Sequence, residues 1–177
     1  MRNFTFVFFI LAFTAHGQTI ADLKEVLKTK HLEGKCDEAF TTLETMIGST
    51  KENDTLYYYR GWLHLNCSNN YDLAIADFDK ALLLDQNSVY GNLGRGMALC
   101  LQGKPEEAID YLEVARSFKP KLFETQYYLG ISYFNMGKQE KKYYKNAITY
   151  FDNAIKINLN SSDCYFYRGI SQFFGGK

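Results

Sequence analysis

Two helical patterns alternate along the chain. From Leu56 to Leu65 apolar residues fall on nearly every face, as in a helix enclosed by neighbours. A polar break, Asn66-Cys67-Ser68-Asn69-Asn70, ends that run. Tyr71 to Leu84 then places Ala74, Ile75, Phe78, Ala81 and Leu82 at i, i+1, i+4, i+7 and i+8, the spacing of a single helix face. The same pair of patterns follows directly. Ser88 is placed to cap a helix running to Gln102, and Gly103-Lys104-Pro105 turns the chain. Gly suits the left-handed position after a helix, and Pro the first position of the next. Glu106 and Glu107 favour that next helix start through the macrodipole, and Pro120 blocks its continuation. The predicted elements are therefore paired helices.

The pattern matches itself at a fixed offset. Arg60-Gly61 falls on Arg95-Gly96 after 35 residues, while Ala74-Ile75 falls on Ala108-Ile109 and Ala81 on Ala115 after 34. Ala39 precedes Ala74 in the same phase, and Gly130 follows Gly96. Ala147, Ala154 and Gly169 arrive 39 residues after Ala108, Ala115 and Gly130. A period of this size means stacked supersecondary units. Gly61, Gly96, Gly130 and Gly169 are predicted inside helices, where each costs about 1 kcal/mol against Ala. That cost, taken at one register, predicts close helix–helix approach, with Ala74, Ala108 and Ala147 facing the glycines.

The first segment departs from this pattern. Phe4 to Ala15 is uncharged and mostly apolar, follows a single Arg2, and ends in Ala15-His16-Gly17. This reads as a signal peptide over residues 1–17, cleaved before Gln18. The run is well short of the roughly 20 residues a membrane span needs. The expected location is exported: periplasmic, cell-surface or secreted. Lys+Arg and Asp+Glu balance at 20 each, so no net field favours nucleic acid or anionic lipid.

With Gly61, Tyr71, Ala74, Phe78 and Ala81 in one unit and Gly96, Gly103, Ala108, Leu112, Ala115 and Pro120 in the next, the chain resembles the tetratricopeptide repeat (TPR) family. Gly130, Tyr133, Gly137, Ala147, Phe151 and Ala154 continue the resemblance. Gly34, Ala39, Leu43 and Met46 make a weaker first unit. The resemblance implies an all-α fold, a right-handed α-solenoid of helix-turn-helix repeats at about 20–53, 54–87, 88–121 and 122–160, with a partial unit at 161–177. Residues 18–177 form one repeat domain. The unit at Gly130 carries five extra residues around Lys138-Gln139-Glu140-Lys141-Lys142, expected to extend a helix end or form a solvated edge loop.

The resemblance also implies a binding surface, because the first helix of each unit lines the concave side. The groove positions are Tyr58, Trp62 and Leu65; Tyr90, Leu93 and Met97; Tyr127, Ile131 and Phe134; and Phe166 and Ile170. These aromatic and aliphatic residues suit an apolar peptide anchor rather than a terminal carboxylate. Some of the rings are equally readable as core. The implied function is an interaction scaffold for a protein or peptide partner. The alternatives are a self-associating module, pairing through the C-terminal helix, and the N-terminal part of a longer protein. In that helix Tyr165, Phe166, Tyr167, Ile170, Phe173 and Phe174 are expected to lack a second helix to cover them.

No catalytic constellation, cofactor motif or metal-ligand string is present, so no enzyme is expected. His31 and His64 fall late in their helices as polar edge residues. Asp77/Asp79 and Glu106/Glu107 fall where such repeats carry solvated acids. Cys36 and Cys67 both lie at internal turns on one edge of a stack, so a Cys36–Cys67 disulfide and four free cysteines packed as small apolar residues are both open readings.

Overall fold

A computed structural model describes residues 20–49 and 52–176. The signal-peptide assignment lies outside the described residues. The chain forms α1 (Ile20–Leu32), α2 (Cys36–Ser49), α3 (Asp54–Cys67), α4 (Tyr71–Leu84), α5 (Val89–Leu101), α6 (Pro105–Phe118), α7 (Phe123–Gly137), α8 (Tyr144–Ile157) and α9 (Ser162–Gly175). There is no strand among the described residues. No described helix is long and apolar enough to cross a membrane.

The ends of these helices follow from local chemistry. Asn53, Asn70, Ser88 and Ser161 each accept a backbone N–H of the first turn they precede. Gly34 and Gly103 take φ of 72° and 76° after α1 and α5, a conformation that suits Gly. Pro105 opens α6.

Consecutive helices pair as α3/α4, α5/α6 and α7/α8, and each pair stacks on the next. The register glycines explain the pairing. A Cβ at Gly61 would lie 2.6 Å from the Phe78 ring, at Gly96 2.5 Å from Leu112, and at Gly130 2.6 Å from Phe151. The carbonyls of Ala74 and Ala108 would lie 3.0 Å and 3.1 Å from the first two. Ala74, Ala81, Ala108, Ala115, Ala147 and Ala154 are fully buried. Gly169 departs from the expectation: nothing lies within 4 Å of the position its Cβ would take. Close approach needs a facing second helix, and none is packed there among the described residues.

The core forms two clusters. The larger runs from Leu23 and Leu27 in α1 to Leu129 in α7. The smaller joins Phe134, Tyr144, Ala147, Phe151, Ala154, Ile155 and Cys164. The extra residues Lys138 to Lys142 are exposed, as expected of a solvated edge loop. Lys141–Tyr143 form a 3₁₀ turn that delivers Tyr144 to a buried position against the rings of Phe134 and Phe174, 5.8 Å and 6.1 Å between centroids. Asp77 differs from its solvated expectation. It is buried and accepts from Arg60 through Nε at 3.0 Å and Nη2 at 2.6 Å, because α3 and α4 close over it.

Candidate functional site

The first helices of four successive units converge on one concave cavity of about 200 Å³. α1 supplies Lys24, Glu25, Leu27 and Lys28; α3 supplies Tyr58, Tyr59 and Trp62; α5 supplies Met97; α7 supplies Glu124 and Tyr128. Lys24 Nζ donates to Glu124 Oε1 at 2.9 Å, an ion pair between the first and fourth units. Burial acts to lower the Lys24 pKa, but the hydrogen bond and charge of Glu124 outweigh it and hold it above the ordinary lysine value. Desolvation raises the hydroxyls of Tyr58 and Tyr59 and pushes Tyr128 up to about 12. The rings therefore stay neutral, with Tyr58 and Tyr59 buried and Tyr128 partly exposed.

Of the groove residues expected from the sequence, Tyr58, Trp62 and Met97 line this cavity, Tyr58 and Met97 from buried positions in the larger core cluster and Trp62 partly exposed. Tyr90 is half-buried beside it, 5.1 Å between ring centroids from Tyr58, with Lys119 Nζ 4.8 Å from its centroid. Leu65 and Leu93 do not line the cavity; both are buried in the larger core cluster. Phe134 is buried as well, with its ring against Tyr144 and Tyr167. Tyr127 stacks on Phe123 and meets Phe151 edge-on, so it belongs to the smaller cluster, as do Ile131 and Ile170 at its margin. Phe166 is 63% exposed on α9, remote from the cavity lining. The physical reason is shared. The neighbouring helices take up these positions instead: Leu65 and Leu93 enter the larger core, and Tyr127, Ile131 and Phe134 pack with residues of α8 and α9 in the smaller one.

Lys24, Lys28 and Glu124 were not singled out in the sequence, yet they share the register of the groove. Lys24 and Lys28 precede Tyr58 and Trp62 by 34 residues, and Glu124 follows Tyr90 by 34. Carrying the period through charged positions would have found them. Tyr59 and Tyr128 lie one position off that register, and no periodic signal marks them.

Beside Trp62 the structure joins Cys36 and Cys67 in a disulfide with Cα atoms 6.0 Å apart. Cys100 and Cys164 are free and buried. Burial pushes both thiols up, so neither is poised as a nucleophile. His31 approaches the disulfide and sets its ring edge-on to Trp62, 5.4 Å between centroids. His64 instead sits between Phe40 and Asp77.

No protein-family model matches the chain. It is 23% identical over 142 residues to the photosystem I assembly protein Ycf3 of Acaryochloris marina, an alignment covering 71% of this chain and 86% of that protein. Among solved structures it is similar to a thermophilic TPR protein of Thermus thermophilus, with a TM-score of 0.69 at 16% identity, covering 92% of this chain and 86% of that one. MamA from Desulfovibrio magneticus superposes with a TM-score of 0.63 at 19% identity, covering 89% and 85%. The helix order, the period and these superpositions together give the chain the TPR-like fold, a right-handed α-solenoid of helix pairs.

Proposed function

We propose that the protein is an exported scaffold that holds a partner protein by seating an apolar side chain of it in the concave cavity. One observation carries the reading: Tyr58, Tyr59, Trp62, Met97 and Tyr128, from three helices, line a single cavity of about 200 Å³. That volume lies below the roughly 300–1,000 Å³ of small-molecule sites and fits one or two side chains of a peptide. The assembly role in the name of the Acaryochloris marina relative supports a non-enzymatic scaffold. Export rests on the Phe4–Ala15 run, and the disulfide suits an oxidising compartment.

The test is a displayed peptide library selected on the chain. Selected peptides carry an aromatic or large aliphatic anchor, and Trp62→Ala weakens them at least about tenfold, the usual scale for a buried aromatic anchor. Leu83→Ala, exposed on α4 outside the cavity, leaves them unchanged. Peptides indifferent to Trp62→Ala overturn the groove. N-terminal sequencing of the protein from the producing cell tests export: a chain still beginning at Met1 overturns it.

A second reading has its own observation. α9 exposes Tyr165, Phe166, Phe173 and Phe174 by 42%, 63%, 80% and 50%. Large aromatic side chains left exposed together on one helix mark an interaction surface, and we infer pairing of two chains through them. Light scattering reads the outcome. Association lost in Phe166→Asp and Phe173→Asp supports it, and a monomeric parent chain ends it.

A further inference from the structure

The groove makes no use of the three side chains gathered behind Trp62. His31 Nδ1 lies 3.4 Å from Cys67 Sγ and 3.8 Å from Cys36 Sγ. All three candidate ligand atoms lie within 4.8 Å of one another. They come from three helix ends: the last turn of α1, the first residue of α2 and the last residue of α3. None of the three residues is fully buried, so a small ion has access.

Tetrahedral zinc geometry provides a measure. Bonds of about 2.3 Å to sulfur and about 2.0 Å to nitrogen place neighbouring ligand atoms roughly 3.5–3.8 Å apart. The two nitrogen–sulfur separations already fall at that value. Only the sulfur–sulfur separation does not, because the two atoms are bonded. Breaking that bond and turning two cysteine side chains fills three corners of a tetrahedron, with the fourth open to solvent. We propose that His31, Cys36 and Cys67 form a redox-gated zinc site: a covalent cross-link when oxidised, and a three-ligand site when reduced.

The chemistry balances. A cellular dithiol supplies two electrons and two protons, the S–S bond becomes two thiols, and the reductant leaves as its own disulfide. Zinc then displaces both thiol protons and takes two thiolates and a neutral imidazole. Thiolate and imidazole ligands suit zinc or copper(I) and disfavour magnesium and calcium. Disulfide and metal exclude each other, since zinc is held by the anionic thiolates and the sulfurs of a disulfide are neutral. Either state ties the first unit to the second at one place.

The test uses the full chain, reduced with a phosphine and freed of it, titrated with zinc against a chromophoric chelator. Cobalt(II) serves as the spectroscopic probe. Trp62, the chain's one tryptophan, reports locally on the site through its fluorescence. The reduced protein takes up one zinc per chain, shows a thiolate-to-cobalt charge-transfer band and changes its Trp62 emission, whereas the oxidised protein does none of these. His31→Ala loses at least the roughly tenfold in affinity that even outer-shell changes cost. The Cys36→Ser/Cys67→Ser double variant, which keeps Cys100 and Cys164, binds no zinc. If reduction loosens the first unit, zinc raises the melting temperature of the wild type but not of the double variant. A reduced wild type that binds no more zinc than the double variant overturns the proposal. Unchanged affinity in His31→Ala removes the imidazole from the site and overturns it equally.

Discussion

Lys24 in the first unit and Glu124 in the fourth meet at 2.9 Å although 100 residues separate them. The curvature of the solenoid brings them together, and the pair closes one side of the concave cavity. Both side chains keep substantial solvent contact, at 43% and 31% exposure, so the pair acts as a latch rather than a structural strut. Glu124→Gln is expected to cost less than about 1 kcal/mol, the range for exposed pairs. The raised folded pKa of Lys24 means that the contribution is complete below the unfolded lysine value and is lost as pH rises through the folded one. Urea midpoints of wild type and variant should therefore differ slightly at neutral pH and converge in strong alkali. A large neutral-pH loss would show that the pair holds the fold.

Gly96 and Gly169 occupy one register in different surroundings. Gly96→Ala pushes a methyl to 2.5 Å from Leu112 and 3.1 Å from the Ala108 carbonyl, and should destabilise by about 1–3 kcal/mol through overpacking. Gly169→Ala meets nothing within 4 Å inside α9, and should stabilise by about 0.5–1 kcal/mol through helix propensity. Denaturation of the two variants checks opposite signs. Equal losses would mean that α9 is packed against a surface the same way as α5.

His64 should make stability sensitive to mild acid. Desolvation lowers its pKa, and the Arg60 charge adds to that, while Asp77 at 3.7 Å opposes it but is already neutralised by Arg60. The folded state thus prefers the neutral ring. A depressed folded value means that the unfolded chain binds the proton first, so stability is full above the unfolded pKa of about 6.5 and falls as pH drops through the folded value. Urea midpoints measured from pH 7.5 downward should decline less in His64→Gln than in wild type. Identical declines would remove His64 as the cause.

The disulfide should matter most to the first unit, where α1 buries Leu23 and Leu27 among its described side chains and α2 buries Ala39 and Leu43. The 31-residue separation of Cys36 and Cys67 corresponds to roughly 3–4 kcal/mol in the chain-entropy model. Cys36→Ser/Cys67→Ser should lower amide exchange protection in α1 and α2 and leave α5 to α8 unchanged. Uniform loss across all helices would mean that the units unfold as one block.

The helix pairs, their period and the close approach at Gly61, Gly96 and Gly130 are legible in the residues alone, because each depends on local propensity and on small residues recurring at one register. The sequence also placed Cys36 and Cys67 on one edge. It could not decide which ring of a periodic set faces the groove and which faces core. Leu65, Leu93 and Phe134 occupy groove register yet are buried, while Tyr59 and Tyr128 line the cavity from off it. That choice depends on how each helix rotates against its neighbours, a property of the packed stack rather than of any one helix. The same holds for Lys24 and Glu124, and for His31 beside the disulfide. Their partners lie in other units, and only the curvature of the solenoid brings them within reach.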